Sequence, residues 1–256
     1  MATLSHKKKE TVEPYSKLAS IYDEVMSHVE YIKWARYIER VINKWQPQCR
    51  SLLDISCGTG NFLFSLNFKD IECLGLDMSF EMIKIAAEKN KSQTQNINFF
   101  QGDMVSIVLK KKFNVVVCLY DSINYLLDLK LWQQLFLRVA DVLDKNGIFV
   151  FDICTKNNSV KYFNNYSERN GGENYEYLRE SSYNQAKGIH TNKFIITFYE
   201  AAKDYIEIHQ QKIFSINEIK DFINSTNFKL LGYFNGFTFN EGSEDSLRIH
   251  FVLQLT

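Results

Sequence analysis

The sequence has no surplus of charge of either sign, little proline and no long hydrophobic run. Its 256 residues include 30 basic and 30 acidic side chains, so the formal net charge is zero. Proteins that coat nucleic acid usually carry a basic surplus, so this balance argues against a general binder of the phosphate backbone and permits only a local basic patch. Proline occurs only at Pro14 and Pro47, and no low-complexity linker divides the chain.

Cysteine is also sparse, and its spacing indicates neither a zinc site nor a disulfide framework. The five cysteines are odd in number and form no C-x-x-C pair. Three of them, Cys73, Cys118 and Cys154, lie in apolar stretches, where a reduced cysteine behaves as a small hydrophobe. The apolar runs around residues 115–119 and 148–153 have the length of a strand and are too short to cross a bilayer. With no secretory signal at the N-terminus, we expect a cytoplasmic protein without a metal.

The sequence does contain an alternation of short apolar runs and helical patterns, which is typical of βαβ units. The runs are continuously apolar, as strands covered on both faces should be. The predicted strands are residues 51–55, 71–76, 97–101, 113–119, 147–153, 229–234 and 247–255, and the predicted helices include residues 61–66, 80–90 and 131–143. We expect an α/β domain with a mostly parallel, seven-stranded sheet.

Two other parts of the chain depart from this pattern. Residues 1–13 are interpreted as a flexible tail, and two helices follow, the first opened by Pro14. Residues 156–214 are expected to form an antiparallel β insertion that lies over one end of the sheet as a lid. Its three period-two runs are residues 175–183, 191–199 and 205–214. Residues 14–155 and 215–256 then form the main domain, which resumes after a capping-box pattern that begins at Ser215.

The clearest functional signal is the segment from Asp54 to Gly60, which reads D-I-S-C-G-T-G. A buried strand ends there, a glycine turn follows, and a helix begins. Glycine lets the backbone approach a ligand closely, and the carboxyl end of the first strand is where open α/β sheets bind ligands. An ordinary strand–helix turn is the alternative interpretation.

Two further carboxylates follow the next two strands. Asp77 ends the second strand, where a carboxylate can accept hydrogen bonds from both hydroxyls of a ribose. Asp103 follows the third strand, where a carboxylate can accept from an adenine amino group. The alternatives are a role at the N-terminus of the following helix for Asp77 and a turn aspartate for Asp103.

Together with the segment C-L-Y-D-S-I-N-Y at residues 118–125, these motifs resemble those of the class I S-adenosylmethionine-dependent methyltransferases of the small-molecule N- or O-type. The resemblance implies a Rossmann-like methyltransferase fold and S-adenosyl-L-methionine as cofactor, with S-adenosyl-L-homocysteine as product. Its specific motifs cover residues 14–155, and Ser56 departs from the glycine that the family often has. The residues to which it assigns cofactor binding are Tyr15, Tyr22, Asp54, Ser56, Gly58, Gly60, Asp77, Met78, Asp103, Met104, Leu119 and Tyr120.

Two other ligand classes fit the sequence less well. A dinucleotide fingerprint needs a third glycine where this chain has Leu63. Methyltransferases that act on base amino groups resemble one another in an N/D-P-P-Y segment, and residues 120–123 contain no proline. We therefore expect a small-molecule acceptor rather than a nucleic acid.

The acceptor pocket is predicted between the N-terminal helices and the insertion. The pattern Y-x-x-x-A-x-x-Y-D, which ends at Tyr22, is similar to the lid helix of small-molecule methyltransferases, whereas Trp34 is interpreted as a core residue. On the insertion, Glu207, His209 and Gln211 alternate with isoleucines and share one face. If that face looks into the cleft, His209 is a candidate general base beside Tyr22; otherwise it is a solvated strand surface or a dimer contact.

The expected reaction is an in-line displacement at a sulfonium, in which the protein mainly aligns the reactants. A base is needed only if the acceptor arrives protonated. Three possibilities stay open: methylation of a small molecule, methylation of RNA or protein, and a module that binds the cofactor without turnover. A monomer and a homodimer are equally compatible with the sequence.

Overall fold

The computed structural model describes residues 8–68, 70–93 and 97–256, which form two β-sheets and the helices that pack on them. The strands are β1 (Lys8–Thr11), β2 (Ser51–Asp54), β3 (Glu72–Asp77), β4 (Asn98–Gln101), β5 (Phe113–Cys118), β6 (Leu143–Cys154), β7 (Tyr166–Gly171), β8 (Tyr175–Asn184), β9 (Ile189–Phe198), β10 (Lys203–Lys212), β11 (Phe228–Asn235) and β12 (Arg248–Leu255). The α-helices are α1 (Tyr22–Val25), α2 (Tyr31–Trp45), α3 (Asn61–Ser65), α4 (Phe80–Asn90), α5 (Leu129–Val142), α6 (Lys156–Tyr162) and α7 (Ile216–Asn224). In the described part of the chain, no helix is both long and apolar enough to cross a membrane.

The larger sheet has seven strands in the order β11-β12-β6-β5-β2-β3-β4. The pairs formed among β2, β3, β4, β5 and β6 are parallel, while β12 runs antiparallel to both of its neighbours. The strand order reverses at β2, so the ends of β2 and β5 meet where open α/β sheets place ligands. The predicted α/β fold and its mostly parallel sheet are confirmed.

Apolar side chains cover both faces of this sheet, which explains why its central strands are continuously apolar. One face packs against α5 and α7, with Trp132 and Ile219 fully buried in that layer. The other face packs against α2 and α3, with Ile38 and Leu63 fully buried. Trp34 also belongs to this second layer, as the sequence predicts.

Short polar signals set the helix boundaries. The Ser79 hydroxyl accepts a hydrogen bond from the Met82 N–H at the start of α4. At α7 the predicted capping box is present, because Ser215 and Glu218 each accept from the other's backbone N–H. These caps fix where each helix leaves the carboxyl end of a strand.

The smaller sheet has five strands, in the order β1-β10-β9-β8-β7, and will be called the lid. The sequence predicts only three of them. Strand β7 adds an antiparallel edge beside β8. At the other edge, β1 pairs parallel with β10 through residues that the sequence interpretation assigns to a flexible tail. That assignment is wrong for Lys8–Thr11, because their backbone groups complete the edge of the lid; residues 1–7, which include His6, lie outside the described residues.

The first predicted helix also differs from the structure. Tyr15 has a positive φ of 61°, which is incompatible with a continuous right-handed helix through this position. A 3-10 turn at Leu18–Ile21 and the single-turn helix α1 replace it. The physical cause is a long-range partner, Glu207 on β10, which accepts hydrogen bonds from the backbone of this segment.

Candidate functional site

The carboxyl ends of β2 and β3 bring two of the predicted carboxylates to one edge of the large sheet. Asp54 is buried, and its Oδ1 accepts a hydrogen bond from the Ser56 N–H at 3.0 Å. Asp77 accepts from the Gly58 N–H and from the Ser79 N–H, both at 2.9 Å. Asp77 therefore connects the glycine turn to the start of α4, which agrees with the interpretation that places it at the N-terminus of that helix.

The two glycines of the turn have different physical reasons to be glycine. Gly60 has φ of +82°, and a Cβ there would meet the Phe64 ring at 2.8 Å and the Phe99 ring at 3.0 Å. Gly58 has φ of +52°, but a Cβ built on it would meet no atom within 4 Å. Packing therefore explains Gly60, whereas the space beside Gly58 is room in which a ligand can lie against the backbone.

The electrostatics of this edge favour a cationic ligand. Burial, with a smaller contribution from the charge of Asp77, raises the pKa of Asp54 to about 7. Burial also raises the pKa of Asp77, although the N–H groups of Ser79 and Gly58 oppose this shift in part. A ligand that brings positive charge to these carboxylates stabilises their ionised forms.

The other residues predicted to bind the cofactor differ in their exposure and in their contacts. Met78 is 69% exposed beside Asp77, so its apolar side chain is available to a ligand. Asp103 uses Oδ1 to accept from the Val105 N–H at 3.0 Å, as a turn aspartate does, and Met104 packs partly against the core. The Leu119 side chain is buried in the core, and this residue meets the glycine turn through its backbone N–H, which donates to the Ser56 hydroxyl.

The N-terminal segment is connected directly to the glycine turn. Asp23 Oδ1 accepts from the Thr59 hydroxyl at 2.6 Å and from the Asn61 side-chain amide at 2.8 Å. Lys89 on α4 forms an ion pair with the same carboxylate at 2.8 Å. Together with the hydrogen bond from the Ser79 hydroxyl to the Tyr15 carbonyl, these contacts hold the segment over the carboxyl ends of β2 and β3.

The lid presents the predicted face of Glu207, His209 and Gln211 to the interior. All three side chains are buried, with 0%, 2% and 5% exposure respectively. A solvated strand surface is therefore the wrong interpretation for this face. His209 Nε2 lies 3.1 Å from Glu207 Oε2, and His209 Nδ1 lies 2.9 Å from the Tyr125 hydroxyl.

These groups continue a chain of hydrogen bonds to Tyr15, whose hydroxyl lies 2.6 Å from the Tyr125 hydroxyl. Burial opposes the ionisation of Glu207, but the hydrogen bond from His209 and the backbone N–H groups of Leu18 and Lys17 lower its pKa overall. An ionised carboxylate only accepts hydrogen bonds. We therefore assign a hydrogen to His209 Nε2. In the tautomer that carries its hydrogen only there, Nδ1 accepts from the Tyr125 hydroxyl.

A third set of contacts holds the loop after β5. Tyr120 and Asp121 both have positive φ, at 61° and 50°, and their N–H groups donate to the buried carboxylate of Asp152. Arg248 bridges Asp152 and Asp121, with its Nη2 2.6 Å from Asp121 Oδ1. The Gln211 amide donates to Asp121 Oδ2 at 2.6 Å, so the large sheet and the lid together fix this loop.

One pocket lies where the N-terminal segment, this loop and the lid meet. It contains the predicted residues Tyr15, Tyr22, Tyr120 and His209. Tyr22 forms part of the wall, with its ring 6.0 Å from that of Tyr15, while the hydrogen-bond chain runs through Tyr15. Gln211, and Asp121 and Tyr125 from the predicted segment at residues 118–125, also line it. The lining residues to which the sequence assigns no role are Leu18, Val25, Met26, Arg179, Asn192 and Phe194.

Comparison with known proteins agrees with the fold and the glycine turn. Residues 52–147 match a family described as a methyltransferase domain. The chain is 32% identical over 243 residues to the putative methyltransferase YqeM of Bacillus subtilis (strain 168), covering 94% of this chain and 96% of that protein. A crystal structure of an S-adenosylmethionine-dependent methyltransferase from Clostridium acetobutylicum ATCC 824 has a TM-score of 0.81 at 23% identity, covering 94% of this chain and 98% of that one.

A shorter match concerns a protein with a named acceptor. Over 114 residues, which are 43% of this chain, the chain is 32% identical to a dTDP-3-amino-3,6-dideoxy-alpha-D-glucopyranose N,N-dimethyltransferase of Streptomyces fradiae, and the match covers 42% of that protein.

The chain belongs to the class I S-adenosylmethionine-dependent methyltransferases, and S-adenosyl-L-methionine is its methyl donor. The space beside Gly58 and the buried carboxylates Asp54 and Asp77 fit a cationic cofactor at the strand ends.

Proposed function

We propose that the protein methylates an amine nitrogen of a small-molecule acceptor bound between the lid and the cofactor site. The observation that carries the proposal is the chain of hydrogen bonds from Tyr15 through Tyr125 and His209 to Glu207. It begins in the pocket and ends on a carboxylate whose pKa is lowered. Such a chain is able to take up a proton when an acceptor reacts.

The cofactor is proposed to lie along the ends of β2, β3 and β4. Asp77 would accept from the ribose hydroxyls and Asp103 from the adenine edge, with Met78 against the base. Asp54 would hold the methionine amino group, directly or through a water, and Ser56, Gly58 and Gly60 would allow the backbone to approach. When bound, S-adenosylmethionine supplies a methyl group that is already activated by its sulfonium.

The residues of the pocket would position the acceptor and accept its proton. Because His209 donates from Nε2 to Glu207 and accepts at Nδ1 from Tyr125, the oxygen of Tyr15 is left with lone pairs at the open end of the chain. The Tyr15 oxygen would take the proton of the acceptor while Tyr15 passes its own proton to Tyr125 and Tyr125 passes its own to His209 Nδ1, so the net change is protonation of His209. The ion pair with Glu207 stabilises the resulting imidazolium.

The same chain favours nitrogen over oxygen as the reacting atom. Burial raises the pKa of Tyr15 well above its usual value and that of Tyr125 as well, so neither tyrosine is an anionic base near neutral pH. A neutral histidine can take a proton from an ammonium group far more readily than from an alcohol. The amino-sugar N,N-dimethyltransferase of Streptomyces fradiae, to which the chain is similar in part, also supports an amine.

The test is a screen for release of S-adenosylhomocysteine with fractionated small metabolites, purified RNA and protein extracts. We expect release with an amine-containing fraction and a product in which mass spectrometry places the new methyl group on nitrogen. Asp77→Ala serves as the matched control that lacks the proposed ribose contact. Release only with RNA or protein, or a methyl group on oxygen, would contradict the proposed acceptor class.

A further inference from the structure

Arg179 on β8 contributes a positive charge to the pocket. Its Nε and Nη2 both donate to Asn192 Oδ1, at 3.1 and 2.9 Å, and the Ser181 hydroxyl donates to the same oxygen. The Phe194 and Phe163 rings lie 5.6 and 5.0 Å from its Cζ. These contacts fix the plane of the guanidinium on the lid.

The fixed guanidinium keeps unused hydrogen-bond donors. An arginine has five N–H donors, and the bonds to Asn192 use one at Nε and one at Nη2. The Nη1–Nη2 edge is the fork that binds a carboxylate or a phosphate through two parallel hydrogen bonds. Across residues 8–68, 70–93 and 97–256, Arg179 forms no ion pair with a carboxylate.

The acidic groups near Arg179 already have other partners. Asp121, the carboxylate in the pocket wall, faces Arg248 and accepts from Gln211. Glu168 on β7 accepts from the hydroxyls of Tyr166 and Tyr177. A guanidinium that lines a pocket and forms no ion pair with a carboxylate is a binding group for an anion.

We propose that Arg179 binds an oxyanion group, a carboxylate or a phosphate, on the acceptor, and so determines which amines are methylated. The inference rests on the proposed function, since the subsite belongs to the proposed acceptor pocket. The amine would then lie beside Tyr15, with its anionic group toward β8. The same chemistry could come from the carboxylate of the cofactor, so the experiment separates these two sources.

The probe is inorganic phosphate added to the protein saturated with S-adenosylhomocysteine, at constant ionic strength. The readout is the thermal midpoint, together with the dissociation constant of S-adenosylmethionine measured by calorimetry. We expect phosphate to stabilise the wild-type protein and to bind Arg179→Met at least about tenfold more weakly, because charge-assisted hydrogen bonds are lost. Arg179→Lys, which keeps the charge but not the fork, is expected to lie between them.

Arg169→Met is the matched control, since Arg169 lies on the neighbouring strand β7 with an exposed side chain that pairs with Glu176. Equal phosphate binding by wild type and Arg179→Met overturns the proposal, and so does the absence of phosphate binding to wild type. A tenfold or greater loss of cofactor affinity in Arg179→Met also overturns it, because the guanidinium would then hold the cofactor. Failure of the proposed function gives a different result, namely Arg179-dependent phosphate binding without methylation of any amine.

Discussion

The Asp23 carboxylate accepts a hydrogen bond from the Thr59 hydroxyl at 2.6 Å, and this contact joins the N-terminal segment to the glycine turn. Thr59 is buried, and the same carboxylate pairs with Lys89. The segment therefore closes over the strand ends through charge-assisted hydrogen bonds, which are stronger than neutral ones.

The first prediction concerns retention of the cofactor by this contact. Asp23→Ala should weaken binding of S-adenosylmethionine by about three- to tenfold, mainly through faster dissociation, because one net hydrogen bond is worth roughly 0.5–1.5 kcal/mol. Stopped-flow displacement measures the dissociation rate. Glu30→Ala, which removes an exposed carboxylate paired with Lys33, should leave the dissociation rate unchanged. Equal dissociation rates in the two variants would refute a role for Asp23 in retaining the cofactor.

The second prediction separates the two glycines. Gly60→Ala should lower the thermal midpoint strongly, because its Cβ would overlap the Phe64 and Phe99 rings. Gly58→Ala should fold with a cost of only about 1–2 kcal/mol for the positive φ, but should lose cofactor affinity because its methyl group fills the open space. Thermal unfolding and calorimetry on both variants provide the comparison. If Gly58→Ala kept the wild-type affinity for the cofactor, the cofactor would not lie against this turn.

The third prediction is a pH dependence of cofactor binding that arises from Asp54. In the protein without cofactor, burial raises the pKa of Asp54 from 3.8 to about 7, so the folded chain holds a proton that the unfolded chain has released, and this group reduces stability as the pH rises. A nearby cationic ligand favours the ionised carboxylate. Affinity should therefore fall as the pH drops below 7, by at most about tenfold per pH unit.

Calorimetry between about pH 5.5 and 8 measures this dependence, with the proton uptake or release read from buffers of different ionisation enthalpy. Asp54→Asn should bind the cofactor more weakly than wild type at the upper end of this pH range, and its affinity should depend much less on pH. A slope that persists in Asp54→Asn would assign the titration to another group, and Asp77, whose pKa burial also raises, is the next to test.

The fourth prediction concerns the hydrogen-bond chain in the pocket. His209→Ala should lower the methylation rate by about a hundredfold or more while cofactor affinity stays intact, which is the usual size of a general-base contribution. Tyr125→Phe keeps the ring and breaks the chain between Tyr15 and His209, so it should cause a loss of the same order. Single-turnover rates over a range of pH measure both effects.

Tyr162→Phe is the control for this series, because Tyr162 is exposed and is not a member of the hydrogen-bond chain that runs from Tyr15 to Glu207. Wild-type rates in His209→Ala would contradict a role in proton transfer. If Tyr125→Phe loses activity at all pH values without a change in the profile, Tyr125 positions the acceptor rather than passing a proton.

The sequence predicts the large sheet well because its signals are local. Continuous apolar runs identify the strands that are buried on both faces, and the glycine turn and the carboxylates follow directly in the chain. Strands β1 and β7 escape prediction because both are exposed edge strands whose polar residues show no apolar alternation.

The contacts of the candidate site that the sequence does not predict depend on distant partners. Glu207 lies 192 positions from Tyr15, and only the folded lid brings them together. Arg179 falls correctly in a predicted strand, but its approach to the pocket follows from the docking of that strand against β9. Asp152 sits in an apolar strand, and its two backbone donors belong to a loop 31 and 32 residues earlier.

The pairing of β1 with β10 means that the lid is not one continuous stretch of polypeptide. Glu207 on β10 holds the backbone of Tyr15 and Lys17, while Asp23 a few residues later accepts a hydrogen bond from Thr59 in the glycine turn. A chimera that exchanges the lid between relatives must therefore transplant residues 8–21 together with residues 156–214. Swapping the insertion alone would leave the recipient's N-terminus to pair with a foreign strand and a foreign carboxylate.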